Sequence, residues 1–181
     1  MSKFNIIETG IEGLIIIEPA LFRDSRGYFM ETYNKKEFET IGLKMNFVQD
    51  NQSHSCKGIL RGLHMQNAHP QGKLVRILRG EVYDVGVDAR KDSQTYGKWY
   101  GVVLSEENRR IFYVPEGFLH GFLVLSAEAD FSYKCTDFYY PDDEDGVIWN
   151  DRDLNIAWPL EKVEEVILSE KDKNLKGFRK L

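Results

Sequence analysis

The chain has 181 residues, of which 42% are hydrophobic and 29% charged, with a net charge of −5. That length suits one domain with a substantial core, expected over 1–181, and the composition is ordinary for a globular protein. A negative net charge argues against a general nucleic-acid binder, and two cysteines, Cys56 and Cys135, are too few for a disulfide framework.

The amino-terminal stretch MSKFNIIETG lacks the apolar core of a signal peptide. No run of about 18 apolar residues predicts a membrane span. A cytoplasmic protein with reduced thiols is expected. In chain order, GLIIIEPALF (13–22) reads as a buried or edge strand closed by Pro19. GYFMETYN (27–34) is rich in aromatic and β-favouring residues. NKKEFETIG (34–42) predicts a short helix, with Asn34 as its cap and Gly42 as its stop. KLVRILRGEVYDVGVD (73–88) predicts two strands meeting at a turn around Arg79-Gly80-Glu81. KWYGVVLS, RIFYVPEG, HGFLVLS and ADFSYKCTDFYY continue the series of short strands. The segment 160–178 is charged, with helical spacing and room for one or two turns. The expected class is therefore all-β, an antiparallel sandwich or barrel with a few short helices. The tail from about 159 to 181 is expected to pack on it. His54 and His69 read as loop residues.

The stretch GILRGLHMQNAHPQGKLVRILRG (58–80) carries the chemistry. Its outline, together with PEGFLH (115–120), resembles the two motifs of the cupins, small jelly-roll β-barrels. In metal-binding members the first motif supplies two histidines and a glutamate. Here His64 is kept, Gln66 stands at the second histidine, and Lys73 stands six residues before Gly80 where glutamate belongs. A protonated lysine offers no lone pair and repels a cation. Two histidines and an amide make a poor transition-metal site, so no metal is expected. Alternation places His64 and Gln66 on one face of a strand, and Lys73, Val75 and Ile77 on one face of the next. A lysine among β-branched apolar residues needs a partner or a task. Arg61 has the opposite parity to His64, and a bulge at Gly62 would bring both inward.

Seven stretches in order resemble one family over about residues 10–172. They are DSRGYFMETYN, FVQDNQS, LRGLHMQ, the long run QGKLVRILRGEVYDVGVDARKDSQTYGKW, PEGFLHGFLVLS, YKCTDFYYP and WND. The family is the dTDP-4-dehydrorhamnose 3,5-epimerases of nucleotide-sugar metabolism, which are cupin-type jelly rolls. The resemblance implies an isomerase that needs no cofactor. It converts dTDP-4-keto-6-deoxy-D-glucose to dTDP-4-keto-6-deoxy-L-mannose by inverting carbons 3 and 5, on the route to dTDP-L-rhamnose. A ketone acidifies both neighbouring C–H groups, so such an enzyme needs a base, an acid and a cation for the enolate.

By this resemblance His64 is the general base, Asp172 its carboxylate partner, Tyr133 the general acid and Lys73 the cation. Ser169 and Asp172 also read as a variant capping box. Tyr139 resembles the residue stacked on thymine. Tyr133 and Tyr139, six apart, would face one way on a continuous strand. Arg26, Arg61 and Lys73 match cations that hold the substrate. Glu31, Gln49, Asp50, Asn51, His120, Glu144 and Lys171 match further binding positions. The resemblance also implies a homodimer in which amino-terminal strands reach the neighbouring subunit. A 3- or 5-epimerase or a ketoisomerase would share the base and acid and stays open as an alternative; a non-catalytic sugar-binding cupin is a further one, but it predicts a broken base–acid pair, whereas His64, Tyr133 and Asp172 are all present.

Overall fold

A computed structural model describes residues 3–181. In chain order its strands are β1 (Phe4–Glu8), β2 (Ile15–Pro19), β3 (Phe22–Asp24), β4 (Gly27–Phe29), β5 (Gln49–Cys56), β6 (Leu60–Gln66) and β7 (Lys73–Arg79). They continue as β8 (Glu81–Asp88), β9 (Trp99–Ser105), β10 (Ile111–Val114), β11 (Phe118–Val124), β12 (Glu128–Cys135) and β13 (Glu144–Gly146). Two short helices, α1 (Lys35–Thr40) and α2 (Glu170–Lys173), complete the regular structure with three single 3-10 turns. Among the described residues no helix is long and apolar enough to cross a membrane.

The strands form two facing antiparallel sheets. One has six strands in the order β1-β2-β10-β7-β12-β5, the other five in the order β13-β6-β11-β8-β9. From β5 to β8 the chain changes sheet at every step, which is the jelly-roll course. Alternation then sorts each strand's side chains into two layers. Val75 and Ile77 of β7, Phe112 and Val114 of β10, and Phe131 of β12 meet Val82, Leu104, Phe122 and Val124 of the other sheet in the barrel core. The outward residues of the five-stranded sheet, among them Leu63, Val85, Leu119 and Leu123, pack under Leu154, Trp158 and Phe178 of the carboxy-terminal segment. The outward residues of the six-stranded sheet, including Ile15, Ile17, Leu74 and Ile111, pack under Phe38 of α1.

Most strand readings hold, and β7 ends and β8 begins where the sequence places their turn. That turn is not a hairpin, however. Gly80, at φ +80°, passes the chain from one sheet to the other, and a Cβ there would lie 2.1 Å from Glu128 O. The helix at 34–42 forms with Asn34 as its cap, its side chain accepting from Glu37 N–H at 3.3 Å. Three readings need correction. Only Gly27–Phe29 of GYFMETYN is strand, in a separate hairpin with β3. His54 lies on edge strand β5 rather than in a loop, 2.9 Å from Asp130. β12 ends at Cys135, because Thr136 and Asp137 turn the chain out of the sheet, so Tyr139 is not on its strand.

Candidate active site

A cavity of about 570 Å³ opens between the two sheets. Its walls carry Arg61, His64, Lys73, His120, Tyr133, Tyr139, Glu144, Lys171 and Asp172. Thus all four residues expected to be catalytic, and five of the other expected binding residues, are brought together.

The five-stranded wall holds Arg61 and His64 on β6 through a bulge. His120 of β11 faces His64, whereas Phe122, two residues on, faces Arg61, three residues back. The extra residue resets the alternation: Leu60 and Leu63 point outward, and Arg61 and His64 both point into the cavity. Gly62 permits it, at φ +115°, where a Cβ would sit 2.6 Å from His120 O.

His64 Nε2 lies 2.5 Å from Asp172 Oδ1, across 108 positions of sequence. With Nε2–H donated to the carboxylate, Nδ1 keeps its lone pair, 3.7 Å from Glu144 Oε1. Asp172 is only 3% exposed. Burial pushes its carboxyl up, but hydrogen bonds from His64, Ser169 and the Gly62 N–H overcome this and hold it below its ordinary value. Asp172 also lies in the first turn of α2, which Ser169 caps by accepting the Asp172 N–H on its Oγ at 3.0 Å.

A second histidine–carboxylate pair lies beside the first. His120 Nε2 is 2.8 Å from Asp84 Oδ1. Asp84 is 0% exposed, and among the described residues its Oδ2 has no hydrogen-bond partner. The sequence reading missed Asp84. Its signal was a carboxylate in the interior file of β8, two residues from Val82, which lies in the barrel core. Glu144 Oε2 accepts from Tyr139 Oη at 2.8 Å and from Lys171 Nζ. Burial raises the Glu144 carboxyl, and these bonds with the His64 charge bring it below its ordinary value.

The six-stranded wall contributes Lys73 of β7 and Tyr133 of β12. Among the described residues neither side chain has a hydrogen-bond or ion-pair partner. Burial pulls the Lys73 ammonium down, against the nearby Cys135, Glu144 and Asp84 groups. Burial likewise pushes the Tyr133 phenol up to about 12, so it stays protonated across the neutral range.

Gln66 is buried and fully bonded. Its Nε2 donates to His69 O at 2.6 Å and Phe138 O at 3.1 Å, and its Oε1 accepts from Tyr140 N–H at 2.8 Å. The amide at the expected metal-ligand position therefore serves the backbone. His64 and His120 each spend Nε2 on a carboxylate.

Five expected binding residues stand outside the cavity. Arg26 is exposed in the β3–β4 hairpin and paired with Asp24 at 2.5 Å. Glu31 is paired with Lys3 at 2.8 Å. Asp50 points away from the barrel to Lys134 at 2.8 Å. Gln49 accepts from Tyr139 N–H at 3.0 Å and donates to Asn51 Oδ1 at 3.0 Å. Asn51 donates in turn to Cys135 Sγ at 3.5 Å.

Residues 8–180 match the family model described as dTDP-4-dehydrorhamnose 3,5-epimerase. A dTDP-4-dehydrorhamnose 3,5-epimerase of Methanothermobacter thermautotrophicus is 56% identical over 179 residues, covering 99% of this chain and 97% of the relative. The crystal structure of a Legionella pneumophila 3,5-epimerase in complex with dTDP-4-keto-L-rhamnose superposes with a TM-score of 0.93, at 52% identity, covering 97% of this chain and 93% of that one. A Bacillus anthracis 3,5-epimerase with TDP and pyrophosphate bound has a TM-score of 0.91 at 45% identity, covering 96% and 99%.

Proposed function

The chain belongs to the dTDP-4-dehydrorhamnose 3,5-epimerase family, and from that membership we propose how the two walls of its cavity divide the reaction. The activity is that of an isomerase, converting dTDP-4-keto-6-deoxy-D-glucose to its L-manno epimer at carbons 3 and 5. Inversion at a carbon needs a proton removed from one face and another delivered to the opposite face. The observation that carries the assignment is that the base and the acid stand on different sheets. His64 with Asp172 belongs to the five-stranded wall, and Tyr133 to the six-stranded wall.

In this reading His64 Nδ1 takes the proton from the carbon next to the ketone. Asp172 holds the ring and stabilises the imidazolium. The electron pair moves onto the carbonyl oxygen, and the unpartnered Lys73 ammonium stabilises the enolate by charge. Tyr133 returns a proton from the far face; solvent then reprotonates its phenolate and takes the proton from the His64 imidazolium, which resets both groups for the second carbon. The same set acts at each carbon in turn, since both flank one ketone. His120, oriented by Asp84, and Arg61 hold the sugar and diphosphate, and Tyr139 stacks on the thymine.

The five binding residues outside the cavity fit a homodimer. Hairpin β3–β4 exposes Phe22, Tyr28 and Phe29, the last at 64%, and carries Arg26 at its turn. Reaching over a neighbouring subunit, it delivers Arg26 and Glu31 to that subunit's nucleotide, next to Gln49, Asp50 and Asn51. Residues 1–181 act as one unit in the cytoplasm, where nucleotide sugars are made. Incubation with dTDP-4-keto-6-deoxyglucose in heavy water, read by NMR, tests the reading. Deuterium enters carbons 3 and 5. Uptake at carbon 3 alone makes this a single-site epimerase, and no uptake removes the proton-transfer assignment.

A further inference from the structure

We infer that Gln66 is a positioning residue that holds Tyr139 in place and so sets affinity for the nucleobase end of the substrate; this rests on the stacking role given to Tyr139 above. β12 ends at Cys135 and β13 begins at Glu144, so residues 136–140 leave the sheet without ladder partners. Their backbone groups still need hydrogen bonds. Thr136 N–H donates to Gly72 O and Phe138 N–H to Asp137 Oδ1, and three glutamines from three places in the chain supply four more. Gln71 donates to Asp137 O at 2.8 Å, Gln49 accepts from Tyr139 N–H at 3.0 Å, and Gln66 bonds both flanks of Tyr139.

Gln66 differs from the other two. It is 4% exposed, and both its donors and its oxygen are engaged. A buried amide left with free donors would be costly, so the segment can move away only by stranding it. Its third bond, to His69 O, ties in the 67–72 loop, where the His69 ring stacks on Tyr140 at 4.1 Å between centroids. Phe138 O and Tyr140 N–H thus sit at fixed points on either side of Tyr139. The Tyr139 ring, 49% exposed, is aimed along the cavity wall and steadied by Glu144. An aromatic platform binds best when it is ordered before the ligand arrives.

Gln66→Leu keeps size and removes all three bonds. Its effect should fall on binding and spare chemistry, raising KM while kcat at saturating substrate stays within roughly twofold. The test is calorimetric titration of wild type, Gln66→Leu, Tyr139→Ala and the double variant with dTDP and, separately, with pyrophosphate, which lacks the base. Tyr139→Ala weakens dTDP binding by roughly tenfold or more. Gln66→Leu weakens it by roughly fivefold in the wild-type background and not further in Tyr139→Ala, a non-additivity that a general structural defect does not give. Pyrophosphate binding stays unchanged in Gln66→Leu. Equal losses of dTDP affinity in both backgrounds, or a matching loss for pyrophosphate, overturn the role of Gln66. Unchanged dTDP affinity in Tyr139→Ala overturns the stacking role itself, a separate failure. If Gln66→Leu does not fold, Gln66→Glu is read in the same way, since it keeps the acceptor for Tyr140 N–H and loses both donors.

Discussion

The two walls of the cavity treat their titratable groups in opposite ways. On the five-stranded wall each histidine is backed by a buried carboxylate, His64 by Asp172 and His120 by Asp84. On the six-stranded wall the Tyr133 hydroxyl and the Lys73 ammonium face the cavity with no hydrogen-bond or ion-pair partner among the described residues. The first wall is preorganised by its own hydrogen bonds. The second leaves a donor and a cation unsatisfied, and the oxygens of a ketone and its enolate would satisfy both. Under the roles proposed above, the difference separates a base that must be oriented before substrate arrives from an acid and a cation that act only on substrate.

Removing the base should have the largest effect. His64→Ala is expected to lower solvent-deuterium uptake at both carbons by roughly 10³-fold while dTDP binding, followed by calorimetry, holds. Uptake near the wild-type rate would take the base off the five-stranded wall. Tyr133→Phe sharpens the contrast between walls. It should lower inversion by roughly 10²-fold yet leave deuterium exchange with retention, because His64 still removes a proton and returns one to the same face. Equal loss of exchange and inversion, read by NMR, would break the division of labour.

Lys73→Met probes the unsatisfied wall through stability as well as rate. kcat should fall by roughly 10²-fold. Removing a desolvated, unpaired ammonium should raise stability by about 1 kcal/mol, or ~2–4 °C in a calorimetric scan. A lower melting temperature would mean that Lys73 has a stabilising partner after all. The smallest effect concerns acid stability and Asp172. Its carboxyl sits below its ordinary value of 3.8 when folded. Its contribution is therefore complete above that value and is lost as pH falls through the folded value. Asp172→Asn should lower stability by about 1–2 kcal/mol at neutral pH and flatten the acid limb of denaturant midpoints plotted against pH. An unchanged acid limb would mean that the carboxylate does not carry this linkage.

Much of the architecture could be read locally. Strands β7 to β11 follow from period-two apolar runs and turn residues. The bulge that lets Arg61 and His64 share a cavity could be argued from Gly62 between residues of opposite parity. Tyr139 shows where that kind of reading stops. Its spacing from Tyr133 suits one strand, but the strand ends at Cys135, and Tyr139 reaches the cavity on a loop held by Gln49 and Gln66. Asp84 went unread because its meaning depends on the pairing of β8 with β11, which sets it opposite Phe122 and so diagonal to His120.

The sequence by itself therefore determined the all-β class, the alternation within each strand and the residue types for carbon-acid chemistry. Its motifs added the family. Those properties depend on neighbours a few positions apart. Only the tertiary structure brings Asp172, which the resemblance pairs with His64, to it across 108 positions, sets His64 and Tyr133 on opposite sheets, and makes Gln66 the support of a loop. These contacts come from long-range strand pairing and from burying three apolar layers at once. No local pattern encodes which sheet a strand will join.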